Sequence, residues 1–525
     1  MKTIQYMGSK KELLEFIEES IEHFLVDIKS EDKITSFLDA FCGSGRVAYH
    51  FKDKYNVVTN DKQEFTKTIT DAYLCNTKDA SFYEPFIKEL NDIQDTYVDA
   101  TDYRSFADDK MNITEENLEL AKKELANKKE SEEKPNEYFE KSGKWFTTNY
   151  GCDFNGFVTE KGKLQGISVG EDGNPKVWRT SNSRRIDMIR YRIEELYNDP
   201  SNEIGETEKN VLLLSLILGI NKISNVVGHQ NGYLKKWSQG ALKDLNLLVP
   251  EVENWTGKEK KHNNYVGDIF PALEKLKADI VYFDPPYGTN NKNLVVATRY
   301  SSFYHLWNTI VKNDRPEIFG KAGKPTDTKG YTEPLEKNLK NIVMPKMVRL
   351  IEESNGKYVA FSYSNKSLLT AHDFKEVYRI AGCDMSTYRL YVMEHKSNNQ
   401  NKLAKKEGEY INRANNDDRL IEYFFIAKKD ENHIRVTKPY SELDEHEKDV
   451  EEKLEAVDAW LSGEGCDENE DYNLPEDNAS IREYIKEYID ESLNVHKNQS
   501  KIITQSEYKE QEERRFEIEK RKMEE

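Results

Sequence analysis

The sequence predicts an α/β protein whose central sheet is doubly wound by helices. Three observations lead to this fold class. A helical pattern near the start is followed by a short apolar run that enters a glycine turn. A strongly apolar helical segment occupies the middle of the chain. Short apolar runs of strand length then alternate with helical segments, which is the pattern of a doubly wound sheet.

The first part of the fold is expected over residues 1–75. Apolar residues recur at helical spacing over residues 10–28, so we expect a helix there. A short strand over residues 36–40 leads into Phe41-Cys42-Gly43-Ser44-Gly45, and a second strand over residues 56–59 ends at Asn60-Asp61. A helix is expected between the two strands.

Residues 76–205 differ in character, and we predict that they form an inserted domain. Residues 110–137 are highly charged and indicate an exposed helical arm followed by a loop. Residues 143–178 are rich in glycine, threonine and aromatic residues, which favours loops or a small hairpin. A helix is expected again over residues 186–197.

The second part of the fold is expected over residues 206–430. It begins with an apolar helix over residues 210–227, which we place in the core. Runs of strand length follow at residues 265–266, 280–283, 357–363, 388–393 and 421–427. Residues 431–525 contain few turn signals and are expected to form a charged helical extension at the C-terminus.

The charge of the chain is unevenly distributed. The formal net charge is -19. Residues 431–525 hold 29 acidic and 14 basic residues, a net of -15, which leaves -4 for residues 1–430. The body is therefore close to neutral and can carry a basic face, so the bulk acidity does not exclude a nucleic-acid partner.

The composition argues against several other classes of protein. No apolar stretch approaches the length of a membrane span, and the N-terminus has no apolar signal-peptide core. The five cysteines include no Cys-x-x-Cys pair, so we expect neither a disulfide framework nor a zinc site. The histidines show no metal-binding spacing. We therefore expect a cytoplasmic protein that needs no metal and no membrane.

The motif Asp284-Pro285-Pro286-Tyr287 follows the apolar run Ile280–Phe283 directly. It places a carboxylate and an aromatic ring at the carboxyl end of a strand, where open α/β sheets bind ligands. Two successive prolines fix the backbone and remove two N–H groups. A proline-rich turn with Tyr287 as a packing residue is the alternative.

The chemistry suited to this motif is attack by an aromatic amine. The exocyclic nitrogen of adenine is a poor nucleophile because its lone pair is delocalised into the ring. Hydrogen bonds from its two N–H groups to Asp284 and to the carbonyl of Pro285 would make that lone pair available. Tyr287 would stack on the attached ring.

Two further motifs suit a nucleotide-like cofactor. Phe37-Leu38-Asp39-Ala40-Phe41 runs from a strand into the glycine turn, and the next helix offers free N–H groups. Asp61 follows Gly45 by 16 residues and suits a ribose hydroxyl pair. Near the N-terminus, Lys10 beside a Gly-Ser turn could hold a carboxylate; taken alone, it is better explained as a solvated lysine.

Taken together and in this order, the three motifs resemble the Dam-like adenine-N6 DNA methyltransferases. The resemblance spans residues 1–430 and implies a Rossmann-like methyltransferase sheet with S-adenosylmethionine as methyl donor. It implies catalytic roles for Asp284, Pro285 and Tyr287. The positions that it assigns to the cofactor are Tyr6, Lys10, Phe41, Gly43, Gly45, Asp61, Asp268 and Asp284.

The resemblance also implies a double-stranded DNA substrate, from which the target adenine is flipped. Sequence recognition is expected from residues 76–205. The residues assigned to DNA contact are Arg185, Arg190, Lys235, Arg299 and Tyr304, although a solvated helix face is the simpler reading of any single arginine. The loop at residues 288–298 is longer than the family pattern, which affects the assignments of Arg299 and Tyr304. A cognate restriction endonuclease is left open as a partner, and so is an orphan methylase.

Other functions are compatible with parts of the sequence. An RNA adenine methyltransferase or a methyltransferase acting on a protein amide would use a related motif at the strand end. A DNA-binding module with a decayed methyltransferase fold is a reading from another class. The intact residues that argue against decay are Lys10, Gly43, Gly45, Asp61 and Asp284. We find no Pro-Asp…Glu-x-Lys core of a fused nuclease.

Overall fold

The computed structural model describes a subset of the chain, and its two compact units are each described separately. The described residues are 1–93, 95, 97, 136–158, 164–288, 299–329, 333–396, 403–406, 409–412, 419–430 and 433. The first unit contains Met1–Asp284, Arg299–Lys329 and Asn355–Lys357. The second contains the rest of the described chain.

The first unit mixes helices and strands. Its helices are α1 (Leu14–Asp27), α2 (Arg46–His50), α3 (Glu64–Leu74), α4 (Ala80–Asp92), α5 (Glu137–Lys141), α6 (Trp145–Tyr150), α7 (Thr180–Asn198), α8 (Glu206–Ile223), α9 (Ile269–Leu273), α10 (Tyr300–Phe303) and α11 (His305–Lys312). Its strands are β1 (Ser36–Asp39), β2 (Asn56–Asp61), β3 (Gly151–Cys152), β4 (Asn155–Val158), β5 (Leu164–Ile167), β6 (Trp178–Arg179), β7 (Asn263–Val266), β8 (Ile280–Phe283), β9 (Ile318–Phe319) and β10 (Lys324–Pro325). Single 3₁₀ turns lie at Lys10–Leu13, Pro200–Asn202 and Thr326–Thr328.

Four strands of the first unit form a parallel sheet in the order β8-β1-β2-β7. Leu38 of β1 lies opposite Val58 on one side and Val281 on the other. All four residues of β8 are buried, as expected of a strand in a parallel sheet that is covered on its faces. Because the strands are parallel, their carboxyl ends all lie at the same edge.

The core of the first unit is centred on α8. Most of its residues are buried, and they pack with apolar side chains of α3, α7 and α11. The hairpin expected within residues 143–178 is present as the antiparallel pair β4–β5. Next to it, residues 225–238 fold back on themselves through a bridge between Val226 and Tyr233.

The second unit is built on an antiparallel sheet. Its elements are the 3₁₀ turn Pro334–Glu336, α12 (Lys340–Glu353), β11 (Tyr358–Ser364), α13 (Ala371–Ile380), β12 (Arg389–Lys396), β13 (Leu403–Lys406), β14 (Glu409–Asn412) and β15 (Arg419–Lys428). β15 pairs with both β11 and β12 in antiparallel register. Phe361, Phe374 and Phe425 are fully buried and form its aromatic core.

The mixed α/β class is confirmed, and the helix bounds differ from those predicted. α8 begins four residues early, where the carboxylate of Glu208 accepts the N–H of Gly205 at 3.0 Å. It ends at Ile223 because Asn225 enters the fold-back of residues 225–238. The division at residues 75, 205 and 430 stays a prediction. Most of the arm at 110–137 and nearly all of 431–525 lie outside the described residues.

Across the part of the chain that the structure describes, no helix has the length and hydropathy needed to cross a lipid bilayer.

Candidate active site

Four aspartates lie where the four parallel strands of the first unit end. Asp39 and Asp61 are the last residues of β1 and β2. Asp268 and Asp284 follow β7 and β8 closely. This edge of a parallel sheet is where α/β proteins bind their ligands. The structure therefore brings Asp61, Asp268 and Asp284, which the sequence assigned to the site, to one edge.

Asp61 holds the glycine turn. Its carboxylate accepts the N–H of Gly43 at 2.9 Å through one oxygen and the N–H of Gln63 at 2.9 Å through the other. Gly43 and Gly45 have φ values of 48° and 72°, in the left-handed region that favours glycine. A carboxylate has about four acceptor positions, and this chemistry suits the hydroxyl groups of a ribose.

The ring of Tyr6 lies against this turn. A Cβ on Gly43 would stand 2.7 Å from the Tyr6 ring, a distance that real atoms do not adopt. The ring of Tyr6 also stacks face to face on the ring of Tyr304, with a centroid distance of 4.6 Å and an interplanar angle of 16°. The absent side chain at Gly43 is therefore what allows the N-terminal segment to approach the turn.

Lys10 and Asp284 form a buried ion pair. Lys10 Nζ lies 2.7 Å from Asp284 Oδ1, and the two side chains are 4% and 17% exposed. The ammonium also donates to the carbonyl of Gly8 at 3.3 Å. The lysine at the N-terminus is thus a partner of the aspartate of the Asp-Pro-Pro-Tyr motif and does not extend into solvent as the simpler reading had it.

Asp39 is a buried acid that sequence reasoning did not assign to the site. Its carboxylate accepts the N–H of Ala48 at 3.2 Å, at the start of α2. Burial, and then the charge of Asp284, raise the pKa of Asp39 well above its ordinary value. The signal in the sequence was its place at the end of a strand, just before the glycine turn.

Asp268 and Phe41 complete the cofactor assignments in this unit. Asp268 caps α9 by accepting the N–H of Phe270 at 3.0 Å, and its side chain is 41% exposed. The N–H of Gly267 donates to the carbonyl of Asp61 at 2.9 Å, which ties the ends of β7 and β2 together. Phe41 lies against Phe283, with 6.2 Å between ring centroids.

The rest of the Asp-Pro-Pro-Tyr motif belongs to the second unit. Pro285 is buried there, and Tyr287 is partly buried. The ring of Tyr287 is 4.7 Å from that of Tyr363, tilted by 56°. Tyr363 in turn lies 4.8 Å from Phe374. Within this unit Tyr287 is therefore supported by a cluster of aromatic rings.

Three side chains assigned to DNA contact bond the interior of the protein. Arg190 is 1% exposed and donates to the carbonyls of Ile310 and Val311 at 2.6 and 3.0 Å. Arg185 donates to main-chain carbonyls as well. Tyr304 is fully buried. Burial and internal hydrogen bonds give Arg190 and Tyr304 a structural task, which does not fit the DNA contact predicted for them.

Lys235 and Arg299 are placed differently. Lys235 is exposed on the fold-back of residues 225–238, whose backbone bonds Ser168 of the neighbouring segment at 3.0 Å. Arg299 is partly buried at the start of α10. Their contact with DNA stays a prediction. Among the described residues, no three His, Cys, Asp or Glu side chains are grouped as metal ligands would be.

Comparison with known proteins gives a match to a family model and to several relatives. The family model of the D12 class N6 adenine-specific DNA methyltransferases matches residues 6–342. The type II methyltransferase M.FokI of Planomicrobium okeanokoites is 29% identical over 435 residues, which cover 81% of this chain and 53% of that protein. The modification methylase LlaI of Lactococcus lactis subsp. lactis is 25% identical over 402 residues, covering 75% of this chain and 52% of that protein.

A shorter relative matches as well. The type II methyltransferase M.NlaIII of Neisseria lactamica is 28% identical over 251 residues, which cover 47% of this chain and 69% of that protein. By contrast, the chain spans about half the length of M.FokI and of LlaI. The similarity to those two proteins therefore concerns part of each of them.

Proposed function

Because this chain belongs to the D12 class of N6 adenine-specific DNA methyltransferases, we propose that it transfers a methyl group from S-adenosylmethionine to the exocyclic N6 amine of adenine in duplex DNA. The family inferred from the three sequence motifs is thereby confirmed. The activity of the chain itself, its substrate and its partners are the content of the proposal.

The observation that carries the proposal is the placement of Asp284. Its carboxylate lies at the carboxyl end of a buried parallel strand and is paired with the buried ammonium of Lys10 at 2.7 Å. Burying two charges costs several kcal/mol per ion before their attraction is counted, so a pair like this is not needed for folding alone. It suits a carboxylate that must be held at a fixed point to accept a hydrogen bond from a substrate.

The residues around the glycine turn suit the methyl donor. Asp61 offers acceptor positions to a pair of ribose hydroxyls, while Gly43 and Gly45 let the backbone approach a ligand closely. Asp268 lies after the neighbouring strand with a part-exposed carboxylate. When bound here, S-adenosylmethionine supplies an electrophilic methyl group on a positively charged sulfur.

Asp284 activates the attacking amine in this proposal. It accepts a hydrogen bond from an N6–H of adenine, while the carbonyl of Pro285 accepts the other. With the donor bound, the nitrogen lone pair would form the new N–C bond, the C–S bond would break, and the sulfur would keep its electron pair. The nitrogen becomes positive, the carboxylate stabilises that charge, and the surplus proton passes to solvent. Holding the reacting atoms in line makes the step effectively unimolecular.

Adenine within a duplex cannot present its amine to such a site. We propose that the base leaves the stack and that Tyr287 stacks on it, a contact worth about 1–3 kcal/mol per base. The aromatic support of Tyr287 by Tyr363 suits that task. Lys235, exposed on the fold-back of residues 225–238, is a candidate for phosphate contact.

The biological setting that we propose is restriction and modification. M.FokI and M.NlaIII are named type II methyltransferases, and LlaI is named a modification methylase. By this analogy the chain methylates sites that a cognate endonuclease would otherwise cut. An orphan methylase with no endonuclease is the alternative within the same chemistry.

The test is transfer of tritium from S-adenosylmethionine to unmethylated duplex DNA, with RNA and protein extract in parallel. Label should appear in N6-methyladenine from DNA. Asp284→Asn should abolish transfer because the amide cannot replace the carboxylate as a charged acceptor. Asp172→Asn is the matched control, since Asp172 also pairs with a lysine, Lys176 at 2.9 Å, but at the surface.

The outcomes separate the proposal from its alternatives. Label confined to RNA or to protein would support methyl transfer by this chain but contradict DNA as its substrate. Full activity of Asp284→Asn would contradict the proposed role of the carboxylate. Absence of S-adenosylmethionine binding by the wild-type chain would favour a DNA-binding module without catalysis.

A further inference from the structure

We propose that Tyr304 is a positioning residue that holds the N-terminal segment Tyr6–Lys10 in the geometry needed for the cofactor. This inference rests on the proposed function, because it concerns the same site. Tyr304 was assigned to DNA contact from the sequence, and its burial calls for another role. Three contacts, all within the first unit, indicate that role.

The first contact is a hydrogen bond to the backbone of the segment. The N–H of Met7 donates to the hydroxyl oxygen of Tyr304 at 2.7 Å. Tyr304 is fully buried, and a buried tyrosine hydroxyl normally has a partner of this kind. Removing the oxygen would leave a part-buried N–H without its acceptor, which is costly relative to the net value of an ordinary hydrogen bond.

The second contact is the stacking of Tyr304 on Tyr6 at 4.6 Å. Tyr6 also lies so close to Gly43 that a Cβ there would stand 2.7 Å from its ring. Tyr304 therefore supports the ring that lies against the glycine turn. If Tyr304 shifted, Tyr6 would lose the surface that keeps it in place beside Gly43.

The third link runs from the segment to Asp284. Three residues after Met7, the 3₁₀ turn Lys10–Leu13 begins, and Lys10 Nζ lies 2.7 Å from Asp284 Oδ1. Gly8 has a φ of 72° and offers its carbonyl to the Lys10 ammonium at 3.3 Å. The bond from Met7 to Tyr304 thus fixes the start of the short stretch that ends at the ion pair.

Tyr304 is itself held from its other side. The neighbouring carbonyl of Phe303 accepts the N–H of Gln230 at 2.7 Å, and the N–H of Leu306 donates to the side-chain oxygen of Gln230 at 2.8 Å. Gln230 is 2% exposed. A residue that is anchored in this way can transmit a fixed position to the segment that it binds, which is the requirement for positioning.

The experiment compares Tyr304→Phe with Tyr83→Phe. Both tyrosines are fully buried, and the Tyr83 hydroxyl donates to the side chain of Asn76 at 2.5 Å, so each variant loses one buried hydroxyl. Tyr83 belongs to α4 and does not contact the N-terminal segment through that bond. The dissociation constant of S-adenosylmethionine is measured by equilibrium dialysis without DNA, followed by KM, kcat and the melting temperature.

Tyr304→Phe should raise the dissociation constant for S-adenosylmethionine about five- to tenfold, the equivalent of one lost hydrogen bond to a part-buried donor. The loss should appear in KM for the cofactor and not in kcat. Tyr83→Phe should lower the melting temperature about as much as Tyr304→Phe does. It should leave the dissociation constant for S-adenosylmethionine at the wild-type value.

Equal cofactor binding by wild type and Tyr304→Phe would overturn the inference. So would parallel changes in cofactor affinity and melting temperature in both variants, since that is the result of a purely structural role. Absence of binding by the wild-type chain would overturn the proposed function itself, and is recognised before either variant is compared. Tyr304→Leu, which removes the ring as well, should weaken binding further than Tyr304→Phe.

Discussion

Gly43 illustrates how a single residue limits the proposed cofactor side of the site. An alanine at this position would have to adopt a left-handed backbone conformation, and its Cβ would stand 2.7 Å from the ring of Tyr6. Gly173 has a φ of 74° with nothing within 4 Å of its added Cβ, so it separates the two effects. Gly173→Ala would carry the backbone cost alone.

We expect Gly173→Ala to lower the free energy of unfolding by about 1 kcal/mol. Gly43→Ala should lower it by about 3 kcal/mol, because the Tyr6 ring must also move. Gly43→Ala should additionally weaken S-adenosylmethionine binding, and Gly173→Ala should not. Urea denaturation and equilibrium dialysis measure the two quantities. Equal losses in both variants would mean that the Tyr6 ring adapts without cost.

The pair of Lys10 and Asp284 gives a second prediction at this scale. Lys10→Met removes a charge that is 4% exposed and leaves the aspartate without its ammonium, so the free energy of unfolding should fall by about 2–4 kcal/mol. Adding Asp284→Leu should restore part of that loss, because the uncompensated carboxylate is then gone. A double-mutant cycle from urea denaturation at pH 7 measures the coupling. Additive effects would exclude a coupled pair.

Single residues also mark the limit of sequence reasoning at the site. Lys10, Gly43, Asp61 and Asp284 were predicted because each belongs to a motif whose spacing has a chemical reason. The burial of Arg190 could not be predicted, because a helical arginine that bonds internal carbonyls has the same sequence signature as one that faces solvent. The carbonyls that Arg190 bonds, those of Ile310 and Val311, lie on α11, far away in the sequence, so local sequence does not reveal them.

At the scale of elements, the edge strand β7 depends on a histidine. Val57 of β2 donates its N–H to His262 Nδ1 at 3.1 Å, just before β7 begins. Burial lowers the pKa of His262 to about 4. Protonation of Nδ1 would remove the acceptor for Val57, so the neutral ring is the form that joins the two strands.

The sign of the pH effect follows from that shift. The pKa in the folded state lies below the unfolded value of about 6.5, so the stability from this group is complete above about pH 6.5 and is lost as the pH falls toward 4. Between pH 7 and pH 5 the loss is about 2 kcal/mol. His262→Asn, which keeps an acceptor but does not titrate, should flatten urea denaturation midpoints over this range.

The control for that experiment is His23→Gln, at an exposed position on α1. Its pH dependence should match that of the wild type. An unchanged slope in His262→Asn would show that other groups carry the acid sensitivity of the fold.

The elements that sequence predicted best are the strands that are buried at every position. β8 and β11 were expected within one residue of their bounds because every position is buried. α7 was expected from residue 186 and begins at Thr180. Its first turns bury Asn182, which donates to the carbonyl of Lys243, and Ser183, which donates to the carbonyl of Thr180 in the same helix. Buried polar residues carry no apolar period. A helix whose first turns bury polar residues is therefore predicted from the sequence to be shorter than it is in the structure.

At the scale of the whole molecule, charge is divided between the body and the C-terminal extension. Residues 431–525 have a net charge of -15 and residues 1–430 a net charge of -4. An acidic segment repels DNA phosphates over a distance of about 10 Å at 0.1 M salt. Truncation after residue 433 should therefore tighten binding to duplex DNA of random sequence at low salt.

Fluorescence anisotropy over a series of salt concentrations measures this effect. The difference between the full chain and the truncated chain should shrink as salt rises, because the repulsion is screened. Weaker binding by the truncated chain would mean that the extension contributes contacts of its own. An electrostatic origin requires that the affinity of the truncated chain fall more steeply with salt than that of the full chain.

The α/β class could be predicted for the molecule as a whole, because alternating strands and helices leave few arrangements. The division of the described chain into two compact units could not. The boundary falls immediately after Asp284, within the motif itself, and no change in composition marks it. Such a boundary depends on which segments pack together, a property of long-range contacts.

The stretch Phe303–Leu306 contacts two different parts of the first unit. Through Gln230 it binds the fold-back that carries Lys235, and through Tyr304 it binds the segment that carries Lys10. If DNA at the fold-back and the methyl donor at the glycine turn both favour one position of this stretch, their binding energies are linked. Thermodynamic reciprocity then requires a single factor. The factor by which bound DNA raises the affinity for the donor equals the factor by which bound donor raises the affinity for DNA. Two titrations performed in opposite order would return the same number.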